Sequence, residues 1–485
     1  MLTKQPLSPE VGSPARVREG VRATTPRLER KLGLSDATAL VVSNVIGVGI
    51  FTTPAIVAGL VPSARAMLAL WIVGGMLAFA GAITYAELAK LCPRAGGEYN
   101  YLSHAFGPLA GFLSGWTSLI AGFSGAIAAC AVALVSYLSR YFPTQTSADP
   151  IGSVSVLTTT IGISRRSLLA AAVILLFAIV HMCGLGPGRL AQKTLALLIL
   201  GALVVFIVAG FGYGRGSWLH FHSAEASFSP KDWLLALIPV MFTYSGWNAA
   251  AYVSEETHDS KRNVGNALAL GTGIVLAVYL ALNALYIKAL SPREMSAAIN
   301  VGDIAAQRLL GVASGFITPV LVIALLGAIS AMTIAGPRVY FAMARDKAFL
   351  APFSRVSPRF RTPALAIALQ SAWSIVLVLL GSFEQILIYT GFAIILSSGA
   401  TVTALYVIRS RRGLREGFIR TVAAPGAFLL ASVLMVTNAV YRAPKPSLIG
   451  LLVIAAGIPV FLFSRKRYSR GNDVPVYSAE AEASE

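Results

Sequence analysis

Charge is scarce in this sequence of 485 residues, of which only 12% are Asp, Glu, Lys or Arg. Soluble globular proteins carry about 25% charged residues. A chain of this length with half that share cannot cover a water-facing surface, so a soluble enzyme and a disordered chain are poor matches. The net charge of +18 would suggest a nucleic-acid partner for a soluble domain. Here the basic residues lie mostly between apolar runs, where they indicate membrane topology instead.

Cysteine and clusters of metal ligands are scarce as well. The three cysteines, Cys92, Cys130 and Cys183, are odd in number and follow no spacing typical of a disulfide framework or a metal site. The five histidines lie near the ends of apolar segments or in loops and show no ligand spacing. A membrane-embedded enzyme would need a nucleophile–base pair or metal ligands at depth. The sequence therefore predicts no catalytic residues, no metal and no cofactor.

Long apolar segments dominate what is present. The mean hydropathy is +0.72, and twelve segments approach the roughly 20 residues that cross a bilayer. They cover residues 36–61, 66–90, 105–141, 167–184, 189–213, 232–256, 263–289, 313–344, 363–381, 384–409, 418–441 and 447–464. We expect an all-α polytopic membrane protein of twelve transmembrane helices between disordered polar tails at residues 1–35 and 466–485.

The distribution of Lys and Arg predicts the orientation of the chain. When the N-terminus is placed inside and the segments alternate, most basic residues fall on the inner side. The split is 26 inner to 11 outer basic residues, and the adjacent Arg165 and Arg166 on the outer side fit it least. Both termini are therefore expected in the cytoplasm, with the chain in the plasma membrane.

Two segments have unusual interiors. The first contains Gly47-Val48-Gly49 and the sixth contains Ser245-Gly246, each near the middle of its span. Glycine inside a helix costs roughly 1 kcal/mol relative to alanine, and it lets the backbone leave helical geometry. Close helix packing is the alternative explanation of such glycines. Because the interruptions fall in the first and sixth segments, the matching first members of two sets of five, they indicate an inverted-repeat transporter with its site at the midplane.

The two interruptions also predict a chemistry. An unwound turn leaves free N–H groups near Gly47, Val48 and Gly49 at the positive end of a half-helix dipole, where a carboxylate binds. Unwound carbonyls near Phe242 and Ser245 would accept hydrogen bonds from an ammonium group. Together these groups describe a receptor for a zwitterion.

Several blocks of the sequence resemble the amino acid–polyamine–organocation (APC) permeases, and their L-type branch in particular. The blocks are residues 33–36, 45–51 and Pro54 for the first helix, 85–88, 93–99 and 105–107 for the second helix and the loop into the third, 242–248 with Glu255-Glu256 for the sixth, and 338–346 with Thr362-Pro363 for the eighth helix and its following loop. The similarity spans nearly everything from residue 31 to residue 465. It implies a five-plus-five inverted-repeat core at residues 36–409 with unwound helices one and six, two further helices at 410–465, and amino-acid transport by alternating access.

The resemblance also implies roles for individual residues. The first break would hold the substrate carboxylate, carbonyls of the second break would hold the amino group, and Phe242 and Trp247 would wall the pocket. The implied substrate-binding residues are Val45, Ile46, Gly47, Val48, Gly49, Ile50, Phe242, Thr243, Ser245, Trp247 and Asn248. Phe242 would close the site toward the outside. Their position in the sequence, and not the resemblance, places Glu255 and Glu256 at the end of the sixth segment near Lys261 and Arg262, where we expect an ion-pair network and gate on the inner face.

Lys193 is the most informative charge within a span. By position alone, it could be a lysine that extends to the headgroups from near the cytoplasmic end of its helix. The resemblance implies that its ammonium occupies the cation site of sodium-coupled relatives, between the Ile46–Gly47 carbonyls and Ser330 or Thr333. Transport would then be independent of sodium. Proton symport through Lys193 and exchange with a permanently charged Lys193 are both compatible with the sequence.

The substrate is expected to be a neutral amino acid of small to medium size. No Asp or Glu lies near the middle of a span, and a buried cationic side chain would need a countercharge, although a carboxylate could reach in from the end of a span. Ser245 stands where L-type relatives often carry glycine, which would shrink the pocket. A permease for cationic amino acids or polyamines and a sodium-coupled symporter of the same fold are the alternatives.

Partners and the remaining charged residues have plainer interpretations. L-type transporters of animals pair with a glycoprotein through a cysteine in the loop after the third helix, and residues 142–166 contain none. We therefore expect no disulfide-linked heavy subunit, and only the bilayer, the amino acid and a possible proton as partners. His181 and Arg338 are expected to be structural, and Lys288 to lie at the membrane interface.

Overall fold

A computed structural model describes residues 28–469 except 140, 157–158, 223–226, 299, 381–382, 415–416 and 443. Within these residues the chain is almost entirely helical. The helices are α1 Leu34–Val45, α2 Gly49–Leu60, α3 Ala64–Leu91, α4 Glu98–Phe106, α5 Pro108–Thr117, α6 Phe123–Leu138, α7 Arg165–Met182, α8 Leu185–Gly212, α9 Pro230–Thr243, α10 Ala249–Tyr252, α11 Ser260–Ala289, α12 Pro292–Ser296, α13 Val301–Leu310, α14 Ile317–Arg345, α15 Ala364–Leu380, α16 Phe383–Arg411, α17 Ala424–Arg442, α18 Pro444–Ala455 and α19 Gly457–Ser469. Strands β1 Pro150–Val156 and β2 Thr159–Ser164 form an antiparallel hairpin in the loop after α6, which the sequence did not predict.

Nine helices of the described chain are long and apolar enough to cross a membrane. They are Ala64–Leu91, Pro108–Leu138, Arg165–Met182, Gly186–Gly212, Ser260–Ala289, Ser314–Arg345, Phe392–Arg411, Ile419–Arg442 and Ser447–Arg465. The pair α1 and α2, bent by 43° at its break, makes a tenth if it is one span. Two predicted segments are shorter: α15 has 17 residues, and the sixth segment is divided between α9 and α10. The all-α polytopic fold is confirmed, and the count of twelve spans stays a prediction.

Helix α14 lies at the centre of the molecule. In its candidate span, 78% of the most apolar stretch is buried inside the protein, against 28% for the span in α8. α14 packs against α1, α6, α8 and α15. A helix surrounded by others contacts protein on every side, whereas the exposed apolar face of α8 is suited to lipid.

Small residues let other helices pack closely. α3 lies along α11, and a Cβ atom added to Gly75 of α3 would lie 2.1 Å from Cδ1 of Leu276 and 2.8 Å from the hydroxyl of Tyr244. Membrane helices gain van der Waals contact from such close approach, since lipid supplies no hydrophobic driving force between them.

Lys288 is buried instead of lying at an interface. Its Nζ donates hydrogen bonds to the carbonyls of Gly210 at 3.0 Å and Phe211 at 3.2 Å. These carbonyls belong to the last turn of α8, where the helix has unpaired acceptors and a negative dipole end. The expected position is therefore wrong, because the end of α8 supplies partners that a headgroup region would otherwise provide.

The predicted N-terminal tail is ordered at its end. Residues 1–27 and 470–485 lie outside the described residues. The N–H groups of Lys31 and Leu32 donate to the carbonyl of Glu256 at 2.9 Å, and the N–H of His258 donates to the carbonyl of Leu32. Backbone hydrogen bonds thus join residues 31–32 to residues 256–258, which follow α10.

Candidate functional site

The first predicted break is present in the structure. Helix α1 ends at Val45, Ile46 adopts an extended conformation with φ −76° and ψ 95°, and α2 begins at Gly49. The break therefore covers residues 46–48, one residue earlier than predicted. The first N–H groups of α2 have no acceptor within their own helix, and the positive end of its dipole faces the break.

The second break lies opposite the first. Helix α9 ends at Thr243 and α10 begins at Ala249. Gly246 between them has φ +99°, a conformation that only glycine adopts without strain. A Cβ atom there would lie 2.5 Å from Nδ2 and 2.7 Å from the carbonyl oxygen of Asn44, and Asn44 Nδ2 donates to the carbonyl of Gly246 at 3.3 Å. The second break therefore lies directly against the last turn of α1.

Side chains fix the two broken ends against each other. The hydroxyl of Tyr279 on α11 donates to the carbonyl of Val45 at 2.8 Å and lies 3.4 Å from the carbonyl of Thr243. The hydroxyl of Thr243 donates to Thr53 Oγ1 on α2 at 2.7 Å. The tyrosine has one proton to donate, so it satisfies the carbonyl of Val45 at the end of α1 and lies near the carbonyl at the end of α9.

A cavity of about 150 Å³ lies between the breaks. A cavity of this size holds a ligand as large as benzene in other proteins. Its walls come from both breaks and from α4, α5, α6, α14 and α16. The lining residues are Asn44, Val45, Gly47, Val48, Gly49, Glu98, Ser114, Thr117, Ser118, Gly122, Phe123, Ala126, Ala129, Cys130, Phe242, Thr243, Ser245, Gly246, Asn248, Tyr252, Ala328, Met332, Ala393, Ile394 and Ser397.

Most of the predicted substrate-binding residues line this cavity. They are Val45, Gly47, Val48, Gly49, Phe242, Thr243, Ser245 and Asn248. The carbonyl of Phe242 already accepts a hydrogen bond from the N–H of Ser245 at 3.0 Å, and a carbonyl oxygen has a second lone pair for a ligand. The arrangement offers N–H groups from one break and carbonyls from the other to a single ligand.

Three predicted pocket residues lie elsewhere. Ile46 and Ile50 are fully buried in the apolar core and are not among the lining residues. Trp247 packs edge-on against Tyr85, with ring centroids 4.7 Å apart, and against Phe428. The positive φ of Gly246 turns the chain at this point, which directs Trp247 toward α3 and α17 and leaves Asn248 at the cavity.

The structure corrects the predicted position of Lys193. Its side chain is exposed, and its Nζ donates to Ser35 Oγ in the first turn of α1 at 3.2 Å. The buried face of α8 runs through Gln192, Ala196 and Ile199. Since successive residues of a helix are about 100° apart, Lys193 points away from that face and does not reach α14.

The predicted partners of Lys193 have other contacts. Oγ of Ser330 lies 2.9 Å from Nε2 of His181, and both side chains are buried. The hydroxyl of Thr333 donates to the carbonyl of Ile329 at 2.7 Å. His181 therefore occupies the place beside Ser330 that the resemblance gave to Lys193.

The ion pairs of Glu255 and Glu256 use different basic residues from those expected. Arg338 donates to Glu256 through Nε at 2.7 Å and Nη2 at 3.0 Å, and both side chains are at most 2% exposed. Arg345 pairs with Glu255 at 2.7 Å in a partly exposed position. The ion pairs exist, but they join the residues that follow α10 to α14 instead of to Lys261 and Arg262. Glu255 is not among the residues that line the cavity.

Glu98 is the one charged residue among the lining residues, and sequence reasoning missed it. It is the first residue of α4, outside every apolar segment, so a search for carboxylates within spans passes over it. Tyr85 donates to Glu98 Oε1 at 2.6 Å, Asn248 at 3.2 Å and Ser398 at 3.4 Å. The Pro-Arg-Ala-Gly-Gly run before it was the available signal, because paired glycines with positive φ allow the chain to turn back into the protein.

Comparisons with known proteins show the family of this chain. A family model described as "Amino acid permease" matches residues 32–463. Large neutral amino acids transporter small subunit 2 of Oryctolagus cuniculus is 28% identical over 442 residues, which are 90% of this chain and 80% of the relative. Serine/threonine exchanger SteT of Bacillus subtilis is 27% identical over 453 residues, 91% of this chain and 98% of the relative.

The human Asc-type amino acid transporter 1 is 27% identical over 448 residues, covering 90% of this chain and 82% of the relative. These relatives are transporters and not enzymes, and no group of three or more His, Cys, Asp or Glu in the described residues could hold a metal. The family match covers most of the chain and includes both breaks. This protein therefore belongs to the amino acid permease family of the APC superfamily, and it resembles the L-type branch.

Proposed function

We propose that this permease moves neutral amino acids of small to medium size across the plasma membrane by alternating access and without sodium. The observation that carries the proposal is the pair of facing backbone breaks at residues 46–48 and 244–248, which border one cavity. N–H groups of α2 suit a carboxylate, and carbonyls of the second break suit an ammonium group. A free α-amino acid carries both.

The size and lining of the cavity support a neutral substrate. At about 150 Å³, the space suits a compact side chain, and Ala126, Ala328 and Ala393 offer an apolar wall. The names of the relatives support the same class, since two of them describe neutral amino acids and serine or threonine. The name of the bacterial relative also supports exchange as the mode of transport.

Cationic amino acids are the second candidate class. Glu98 places a carboxylate in the cavity wall and could face a cationic side chain. The first candidate is favoured because Glu98 Oε1 already accepts three hydrogen bonds from the protein.

Sodium independence and the role of Lys193 belong to the same proposal. The hydroxyl of Ser330, which would supply an oxygen ligand to a cation, instead contacts the buried His181 at 2.9 Å. Lys193 would act through Ser35 at the start of the broken helix one, where α8 contacts α1. It would thus hold the inner half of the helix without bridging to α14.

The proposal extends to the fold repeat and the membrane topology of the whole chain. We propose the five-plus-five inverted repeat for residues 36–409, with twelve spans and both termini in the cytoplasm. The placement of the two breaks in the first and sixth apolar segments supports this repeat. We also propose that the chain works without a disulfide-linked subunit, since residues 142–166 contain no cysteine.

Counterflow in proteoliposomes tests the function. Vesicles loaded with an unlabelled amino acid should accumulate labelled alanine, serine or leucine, and replacing sodium with choline should leave the rate unchanged. Lys193→Ala should slow counterflow at least about fivefold, which corresponds to about 1 kcal/mol. The matched control is Lys261→Ala, because Lys261 is an exposed lysine of α11. Transport of arginine alone would exclude the neutral class, and a requirement for sodium would exclude the proposed independence.

A further inference from the structure

Glu98 is a carboxylate in an unusual position. It begins the short helix α4, between the candidate spans Ala64–Leu91 and Pro108–Leu138, and its partly accessible side chain lines the cavity between the two broken helices. Enclosure by protein raises the pKa of its carboxyl above the ordinary value, although hydrogen bonds from Tyr85, Ser398 and Asn248 act in the opposite direction. A group in this position can reach the aqueous phase through the cavity and also sense what the cavity holds.

The donors to Glu98 come from parts of the molecule that are far apart in sequence. Tyr85 on α3, Asn248 in the second break and Ser398 on α16 all donate to Oε1, and Ser114 on α5 faces the same carboxyl. Asn248 also donates to the hydroxyl of Tyr252 at 3.0 Å. Oε1 of Glu98 therefore joins the second break to α3 and α16.

No cation balances Glu98 within the described part of the chain. The Lys and Arg side chains that form ion pairs there bind other carboxylates. The titratable groups that face Glu98 are the hydroxyls of Tyr85, Tyr101 and Tyr252. An unpaired charge away from water is costly. A zwitterionic amino acid adds no net charge, so loading the cavity with a neutral substrate leaves this carboxylate uncompensated.

Two ligands could balance that charge, a proton or a cationic side chain. A guanidinium binds a carboxylate best through both oxygens in a bidentate pair, whereas Oε1 of Glu98 already has three donors. The cavity of about 150 Å³ also leaves little room for a long cationic side chain beside the α-carboxyl and α-amino groups. The proton needs no space and adds directly to the carboxylate.

We propose that Glu98 is a proton-binding site in the wall of the substrate cavity, and that its protonation is coupled to transport through Asn248 and Ser398. Binding adds one proton to the carboxylate and breaks no covalent bond. Hydrogen bonds to an ionised carboxylate are about twice as strong as those to a neutral group. Protonation therefore weakens the link from Glu98 to the second break and α16, and it frees these elements to rearrange around the substrate.

This inference rests on the proposed transport function, and variants of Glu98 and Tyr85 test it. Wild-type alanine counterflow should change with pH by up to about tenfold per unit where one group titrates, and an inward proton gradient should drive uptake. Glu98→Gln should retain exchange at a rate that is nearly independent of pH and should lose the gradient-driven component. Tyr85→Phe removes a donor that favours the ionised form, so it should raise the pH midpoint.

Glu87→Gln is the control for Glu98→Gln, and three results would overturn the proposal. Glu87→Gln changes a nearby carboxylate that pairs with Lys90 at 2.8 Å, and it should keep the wild-type pH profile. An unchanged profile in Glu98→Gln would overturn the proposal, as would an unchanged midpoint in Tyr85→Phe. Loss of arginine exchange in Glu98→Gln with an intact pH profile for alanine would instead identify a cationic side-chain subsite, and it would also overturn the proposal.

A measurement without substrate separates this inference from the transport function. Infrared difference spectra of the purified protein between acidic and alkaline buffer should contain a protonated-carboxyl band that Glu98→Gln lacks and Glu98→Asp retains at a shifted pH. If no amino acid is transported but this band is present, the proposed function fails and the proton site stands. If the spectra of wild type and Glu98→Gln are identical, the proton site fails even when counterflow is observed.

Discussion

The hydroxyl of one tyrosine, Tyr279, lies beside backbone carbonyls at both helix breaks. The hydroxyl of Tyr279 contacts carbonyls from both broken helices, and a carbonyl left without a donor loses a hydrogen bond that water cannot easily replace in a membrane. The same helix carries Tyr286, whose buried hydroxyl has no hydrogen-bond partner in the described chain. The two tyrosines form a matched pair for experiment.

Replacing Tyr279 with Phe should weaken transport more than it weakens folding. The lost hydrogen bond is worth about 1 kcal/mol, and we expect it to appear as an approximately fivefold lower rate of counterflow, because the carbonyls of Val45 and Thr243 border the cavity. The thermal midpoint in detergent should change little. Tyr286→Phe should leave the rate unchanged, and equal losses in both variants would show that the hydroxyl of Tyr279 has no special role.

Residue positions around a helix were the hardest feature to predict. Lys193 lies one residue after the buried Gln192, and that step of about 100° separates a side chain that contacts Ser35 from one that faces the interior. Trp247 was expected in the cavity and packs on Tyr85 instead. Both expectations placed the residue on the correct element and failed on its direction, which depends on how that element is rotated against its neighbours.

At the scale of an element, the position of each helix break was predictable, but the contacts of the break were not. Glycine clusters made both breaks predictable, because the conformational cost of glycine is local. The contact between α1 and the second break was not predictable, since Asn44 and Gly246 are about 200 residues apart in sequence and meet only when α1 packs against α10.

Gly246→Ala should abolish transport, because the new Cβ atom would lie 2.5 Å from Asn44 Nδ2 and the residue has φ +99°. Gly107→Ala is the matched control: Gly107 has φ +91°, and a Cβ atom there would meet nothing within 4 Å. Both variants carry a backbone strain of about 1–2 kcal/mol, so both should lower the thermal midpoint. Counterflow should be lost in Gly246→Ala alone, and loss in both would assign the effect to strain.

Across the whole molecule, a buried ion pair holds the chain that follows α10. Arg338 of α14 binds Glu256 through two hydrogen bonds, and the carbonyl of Glu256 accepts the N–H groups of Lys31 and Leu32. The start of helix one, the end of helix six and the central helix α14 therefore meet at Glu256. A nearby pair, Arg345 with Glu255, is partly exposed.

Glu256→Gln should destabilise the protein strongly, since it leaves Arg338 buried without a countercharge. Breaking a buried pair costs about 3–5 kcal/mol, whereas a partly exposed pair is worth about 1 kcal/mol or less, so Glu255→Gln should have a small effect. Thermal unfolding in detergent measures both. The double variant Glu256→Met with Arg338→Met should recover much of the loss, and a double variant as unstable as Glu256→Gln would contradict this explanation.

The sequence by itself determined the membrane class, the positions of most spans and the two helix breaks, because apolar length and glycine content act within a few residues of the chain. Only the tertiary structure decided which side chains border the cavity. It brought Glu98 from outside the spans to the wall between the breaks, paired Ser330 with His181 and directed Lys193 to Ser35. These outcomes depend on the rotation and contact of whole helices, which are set by packing among segments hundreds of residues apart.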